Sequence, residues 1–401
     1  MISFETAFQK VMAFATDYGT ELVPLKNASG RVLAEIIAAD RDFPPFDRST
    51  KDGIAIKFTS HTISNRVYSI AGLAQAGSPQ QELLDTGSCI EVMTGAMVPK
   101  GADTVIMYEH LSKSEDGRSF TLEQEVKKGQ NIHYQGSDTG EGESLLPTGT
   151  VLGPAEIGVL ASVGKSMVLV KKLPRIAVIS TGNELVDVDQ TPRPYQIRKS
   201  NVHSLQALLG KEHVVADEFH FQDSLEKLKQ ELQSVLDNYD VVLLSGGVSK
   251  GKFDFLPEAF EALGVTKAFH KVLQRPGKPF WFGRHNTSNT VLFSFPGNPV
   301  STYANYHIYF IPWLNKTLGV HAPGFDVFLD EALANTTDLT LFIGVSTNLE
   351  NGKLIAQRIS TTGSGDLLAL AKYDGFVKIY PGQKIEKNAL VPFVPTKPLG
   401  E

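Results

Sequence analysis

The stretch Val241-Val242-Leu243-Leu244-Ser245-Gly246-Gly247-Val248-Ser249-Lys250-Gly251, followed by Asp254, decides the fold. A short apolar run is turned by glycines into a helical pattern, which reads as a strand leaving a sheet for a helix. Glycine takes φ > 0 and lets the backbone approach a ligand, so consecutive N–H groups and a helix N-terminus can face one anion, here with a carboxylate beside it. Two similar exits lie nearby. Ile176-Ala177-Val178-Ile179-Ser180 ends in Thr181-Gly182-Asn183-Glu184-Leu185, and Val291-Leu292-Phe293-Ser294-Phe295 ends in Pro296-Gly297-Asn298-Pro299-Val300-Ser301. In the latter, Asn298 reads as N-cap and Pro299 as first residue of a helix running through Leu314. Between these exits Val202, Leu205, Leu208 and Leu209 mark one helical face. Leu225, Leu228, Leu232, Val235 and Leu236 mark another, opened by Asp223 with Glu226 three residues on. Alternating strands and helices imply a doubly wound parallel sheet over about residues 172–320, covered on both faces. Ligands of such sheets bind at the carboxyl ends of the strands, so the three loops should meet in one crevice.

The flanks have another texture. Residues 3–17 read as a helix, and the Pro-rich stretch from Phe43 to Gly53 reads as a crossing between lobes. Alternating runs near Tyr68 to Ala71, Cys89 to Met93 and Thr104 to Met107 suggest a small β-rich lobe. Gly153-Pro154-Ala155-Glu156 opens a short helix through Ala161, and the tail after Pro323 returns to strand alternation, broken by a brief helix at Leu367 to Ala371. The expected fold is therefore multi-domain α/β plus β: a central doubly wound α/β domain, β-rich N-terminal lobes and a C-terminal β-barrel. Residues 1–50 with 131–171 form a mixed linker domain, 51–130 an inserted β-rich lobe, 172–320 the α/β domain and 321–401 the barrel.

Composition narrows the chemistry. The chain has 401 residues, too many for one core, and a net charge of -6 with no block of like charge, which argues against nucleic acid or an anionic membrane as partner. No apolar run is long enough to span a bilayer and the start lacks a signal peptide, so a cytoplasmic protein is expected. The single cysteine, Cys89, excludes an internal disulfide and a Cys-rich zinc site, and the ten histidines include no HExxH pair. A metal would be hard and oxygen-bound, magnesium with a phosphate being the default.

Six motifs in one order, Phe43-Pro44-Pro45-Phe46-Asp47-Arg48-Ser49-x-x-Asp52-Gly53, the Met93-to-Asp103 loop, Ser180-Thr181-Gly182-x-Glu184-Leu185, the 245–254 loop, Pro276-Gly277-Lys278-Pro279 and Phe295-Pro296-Gly297-Asn298-Pro299-Val300-Ser301, resemble the molybdopterin molybdenumtransferase family, MoeA in bacteria and the gephyrin E-type domain in animals. The likeness runs from about residue 3 to 395. It implies insertion of molybdate into adenylylated molybdopterin with release of AMP, yielding molybdenum cofactor. It also implies a homodimer in which the α/β domain of one subunit faces the β-rich lobe of the other, with the molybdopterin adenylyltransferase and molybdoenzymes as further partners.

The residue types suit that chemistry. Cleaving a phosphoanhydride needs a divalent cation, Mg2+ by default, near phosphate-binding loops, and Glu184 and Asp254 are the candidate metal carboxylates. Molybdate, a tetrahedral dianion, needs cations and N–H groups, which Arg275, Lys278 and the amides around Pro296, Gly297, Asn298 and Pro299 can supply. Asp52, Glu184, Asp254 and Lys278 are the candidate catalytic residues, and Ser245, Gly246, Gly247 and Ser249 the candidate phosphate loop. Thr94, Asp138, Asp223 and Ser364 are carried over from the resemblance, the first two with Asp52 completing the site from the partner subunit. Each has a plainer reading. Asp223 with Glu226 makes a capping box, Asp254 caps a helix, and Glu184 is a hydrogen-bonded turn acid, although an acid at the end of a buried strand would be costly without a partner. Lys278 is a solvated lysine, the prolines only shape a turn, and Asp52, Thr94 and Asp138 are turn residues.

Several positions depart from the family pattern: Lys51 precedes the acid, Asn183 replaces an acid, His133 an arginine and Arg275 a lysine, Ser137-Asp138 stands for Glu-Asp, and Asp366 for a neutral or histidine side chain. Retained activity is expected, with altered metal affinity and oxyanion geometry. Two other classes stay open, a molybdopterin adenylyltransferase, whose related domain carries a similar Ser-Gly-Gly loop, and a non-catalytic scaffold of the same fold.

Overall fold

The computed structural model describes residues 1–222, 224–248 and 255–398. They divide into two compact units, one of Met1–Ala34, Gly149–Gly153 and Met167–Glu401, the other of Glu35–Thr148 with Pro154–Ser166. The first unit opens with helix α1 (Phe4–Ala13), capped by Ser3, whose side chain accepts from the Thr6 amide.

The second unit is built on a six-stranded sheet whose strands are β1 (Gly53–Ile56), β2 (Val67–Ala74), β3 (Ser88–Val92), β4 (Thr104–Met107), β5 (Leu111–Lys113) and β6 (Ser119–Leu122). Their order is β4-β1-β3-β2-β6-β5, and every pairing is antiparallel except β2 with β3. The three runs read as β-rich from their alternation lie in β2, β3 and β4. Helix α2 (Pro154–Ser162) belongs to the same unit, as does the whole Pro-rich stretch from Phe43 to Gly53.

The α/β domain of the first unit contains β7 (Ile176–Thr181), α3 (Asn201–Lys211), β8 (Ala216–Phe221), α4 (Leu225–Asn238), β9 (Val241–Ser245), α5 (Leu256–Ala262), β10 (Val265–His270), β11 (Gln274–Arg275), β12 (Trp281–His285) and β13 (Val291–Phe295). The sheet order is β8-β7-β9-β13-β12-β10. The first four are parallel as expected; β12 runs antiparallel to both its neighbours, β13 and β10, because β12 and β13 are joined by a tight hairpin with no crossover helix. All residues of β7, β9 and β13 are buried, and alternate side chains enter opposite cores. Ile176, Val178, Val241, Leu243 and Phe293 pack with α1, α3 and the helices after β13, while Ala177, Ile179, Val242, Leu244 and Leu292 pack with α4 and α5.

After β13 come α6 (Pro299–Asn305), a π-helical turn at Tyr306–Phe310 and α7 (Ile311–Leu318), which ends on left-handed Gly319. The tail then forms β14 (Phe325–Leu329), β15 (Thr340–Glu350), β16 (Lys353–Arg358), α8 (Leu367–Leu370), β17 (Gly375–Ile379) and β18 (Leu390–Pro395). The pairing β15-β16-β14-β18-β17, with β17 returning to β15, closes a barrel. Strand β11 adds to its outside, Gln274 opposite Thr340 and Arg275 opposite Leu341. No helix among the described residues is long and apolar enough to cross a membrane.

Candidate functional site

The site is built from the carboxyl ends of the parallel strands. After β7, Gly182 sits at φ 139°, and a Cβ there would lie 2.7 Å from either carboxylate oxygen of Glu184, so the acid folds back over the glycine. Glu184 is exposed, contrary to the expectation of a costly buried acid, because the chain turns outward immediately after the strand. After β9, Gly246 (φ 107°) and Gly247 (φ 67°) take backbone conformations that favour glycine, as read from the sequence. The amides of this loop are not all free for an anion, since Gly246 N–H donates to Phe295 O at 3.1 Å.

Ser245 ends β9 as the hub of a polar network. Asn201, first residue of α3, donates from Nδ2 to Ser245 Oγ (2.8 Å) and to Gly297 O (2.7 Å), tying two strand exits together. Thr302 Oγ1 lies 3.4 Å from Ser245 Oγ and donates to Pro296 O at 2.6 Å. Asn298 is the N-cap of α6 and Pro299 its first residue, as expected, but the Asn298 side chain makes no capping bond. It donates to Ser364 Oγ (2.8 Å), and Val300 N–H donates to Ser364 O (3.1 Å), so the first free amide of the helix is satisfied by the chain itself. Ser364 thus joins the site through its own backbone carbonyl as well as its hydroxyl.

The segment Arg275-Pro276-Gly277-Lys278-Pro279 bridges the sheet and the barrel, with Arg275–Pro276 in cis. Arg275 and Lys278 are exposed, while the backbone between them is gripped from below by Gln274 and Asn305, both fully buried. All these loops face one cavity of about 1240 Å³, lined among others by Thr181, Glu184, Ser245, Gly246, Gly247, Arg275, Lys278, Pro296 to Ser301 and Ser364. Arg358 and Thr361 from the barrel, and Arg198 and Lys199 before α3, complete it. Lys199 is paired with Asp187 at 2.6 Å, and the Lys199 ammonium, by hydrogen bond and charge, holds the Asp187 carboxyl below the usual range. Arg275, Lys278 and Arg358 make no ion pair with any described carboxylate, so the wall presents an excess of positive charge.

Three further candidates belong to the second unit. Asp52 and Thr94, in the second unit, hold one another: Asp52 Oδ1 accepts from the Thr94 amide (2.6 Å) and hydroxyl (2.9 Å), and these bonds keep its carboxyl below its ordinary value. Asp138 meets His133 Nε2 at 2.8 Å, while His133 Nδ1 faces Arg48 Nη2 at 3.0 Å; the histidine standing for an arginine relays a guanidinium to the acid. Asp366 caps α8, accepting from the Ala369 amide at 2.9 Å, which gives that departure a structural role. Asp223, Ser249 and Asp254 lie outside the described residues; Ser224 is the N-cap of α4. No group of three or more metal-ligating side chains occurs among the described residues.

A protein named molybdopterin molybdenumtransferase from Synechocystis sp. is 36% identical over 383 residues, covering 94% of this chain and 95% of its own. The chain belongs to the molybdopterin molybdenumtransferase family. A Staphylococcus aureus protein of the same name is 30% identical over 395 residues, with 96% of this chain and 92% of its own covered. A crystal structure described as molybdopterin biosynthesis moeA protein from Pyrococcus horikoshii superposes with a TM-score of 0.81 at 27% identity, over 98% of this chain and 100% of that one. Family models match in sequence order: "MoeA N-terminal region (domain I and II)" at residues 2–164, "Probable molybdopterin binding domain" at 177–316 and "MoeA C-terminal region (domain IV)" at 328–396.

Within this member of the molybdenumtransferase family, sequence reasoning missed Asn201, Arg358 and Thr361. Asn201 carried a signal, a polar residue opening a helix that follows the first glycine exit. Arg358 ends an ordinary alternating strand, and nothing local distinguishes it from a solvated arginine.

Proposed function

We propose that this chain inserts molybdenum into molybdopterin, taking adenylylated molybdopterin and molybdate and releasing AMP. The observation that carries the reading is the cavity itself, where three βα exits, the Arg275–Lys278 segment and Ser364 converge beside cations that pair with no described carboxylate. Such a wall suits a substrate that brings a pyrophosphate and a tetrahedral dianion together. Lys278 and Arg275 bind molybdate, and Ser245 with the glycines after it faces the phosphates.

Magnesium takes one or two protein carboxylates together with substrate phosphates and water, so a wall offering Glu184 fits it without a cage of three ligands. In this reading Glu184, with Asp254, holds Mg2+, which when bound neutralises charge on the phosphates. Asp52, Thr94 and Asp138 come from the second copy of a homodimer. It acts in the cytoplasm, between the adenylyltransferase that supplies its substrate and the molybdoenzymes that accept its product.

The test mixes purified protein with adenylylated molybdopterin, molybdate and magnesium, and follows AMP and the activity of an added apo-molybdoenzyme. Neither AMP nor restored activity would refute the reading. Consumption of ATP with unmodified molybdopterin would move the assignment to an adenylyltransferase. For the shared site, an Asp52→Ala chain mixed with an Asp254→Ala chain should regain activity; verified heterodimers without activity exclude it.

A further inference from the structure

Gln274, Asn305 and Tyr309 are all fully buried, yet each is polar, and a buried amide or hydroxyl is retained at a cost unless its partners are in place. Their partners converge on one short piece of backbone. Gln274 Nε2 donates to Pro276 O and to Asn305 Oδ1, each at 2.9 Å. Asn305 Nδ2 donates to Gly277 O at 3.4 Å, and Tyr309 OH donates to Gln274 Oε1. Burial drives the Tyr309 phenol well above its ordinary pKa, so the hydroxyl stays a neutral donor. The carbonyls held from below are those of the two residues separating Arg275 from Lys278. Gly277 sits at φ 86° with its would-be Cβ 2.4 Å from Asn305 Oδ1, so the backbone rests directly on the amide pair.

Two like charges three residues apart repel, and each long side chain has many rotamers to lose on binding an anion. A rigid base for both removes part of that cost before the anion arrives. We propose that Gln274, Asn305 and Tyr309 are positioning residues that fix the Arg275–Lys278 segment so that both cations address one tetrahedral oxyanion. The oxyanion is molybdate, and in that respect the inference rests on the function proposed above. The network touches no substrate and acts only through the cations it aims.

The experiment uses the full-length chain with Gln274→Met, which keeps the volume and removes the amide, and Tyr309→Phe, which removes one oxygen. Molybdate affinity is measured by calorimetry, and kcat and KM for molybdate by AMP release. Gln274→Met should weaken molybdate binding at least about tenfold while kcat at saturating molybdate stays within roughly threefold. Tyr309→Phe should shift in the same direction by less. In a Lys278→Ala background the Gln274→Met factor should collapse to under about threefold, because the paired grip that the network aligns is already broken. Unchanged affinity in both variants, or the same factor with and without Lys278, would assign the network to core packing and overturn the proposal. If Gln274→Met does not fold, Tyr309→Phe alone decides through the same cycle. Wild-type protein that binds molybdate but releases no AMP refutes the functional reading and leaves the affinity cycle to judge the network; wild-type protein that binds no molybdate overturns both.

Discussion

His307 lies in the π-helical turn, almost wholly buried, with Nδ1–H donating to Tyr303 O at 3.0 Å. Burial, opposed by that hydrogen bond and reinforced by Lys211, pushes the imidazole pKa down from 6.5 to about 4. The folded chain therefore carries a neutral His307 at a pH where the unfolded chain has already bound a proton. Stability is unaffected above about pH 6.5, falls as the pH drops from there to about 4, and levels off below. At 1.36 kcal/mol per unit, the full window is worth about 3 kcal/mol, and the part down to pH 5 about 2 kcal/mol. The assay is urea unfolding followed by tryptophan fluorescence, which reports the α/β domain because Trp281 and Trp313 are the two tryptophans and both are buried there. His307→Gln keeps a donor for Tyr303 O and does not titrate. Between pH 7.5 and pH 5 the wild type should lose about 2 kcal/mol more than this variant. Parallel losses in the two proteins would refute the argument that desolvation governs His307.

Glu184→Gln keeps the shape over Gly182 and removes the charge; AMP release should fall about a hundredfold, and the magnesium midpoint should rise in a titration of rate against metal. Thr302→Val leaves Pro296 O without its donor inside the protein and should cost about 1–3 kcal/mol by the same fluorescence assay, with a further loss of AMP release from the loosened exits. Gly277→Ala forces a Cβ against Asn305 at a left-handed position; a loss of about 2–4 kcal/mol is expected, and an unchanged midpoint would contradict the close packing.

The strand exits were legible because glycine and proline punctuate apolar runs, and that punctuation has a local physical cause. The same holds for Asn298 and Pro299 at the start of α6, where position could be read although the use of the Asn298 side chain could not: its partner Ser364 is 66 residues away. Distance along the chain also hid the Gln274 network, whose contacts span 31 and 35 residues, and the barrel's contribution through Arg358. Glu184 was misjudged on burial alone, since the carboxyl end of a buried strand is also where the chain leaves the core. The acids of the second unit carry visible hydrogen bonds, Asp52 with Thr94 and Asp138 with His133, that explain their turns without naming a ligand.

The two-residue ladder of β11 on β15 makes the C-terminal barrel something other than a detachable appendage. Arg275 is itself a rung of that ladder, so whatever tilts or deletes the barrel is transmitted through main-chain bonds to the stem carrying the cations. Truncation after Leu318 would remove the strand this stem leans on, and transplanting a barrel from a relative would reset how Arg275 and Lys278 are presented. Under the proposed function, substitutions in the tail would alter oxyanion binding with no change among the loops of the α/β sheet.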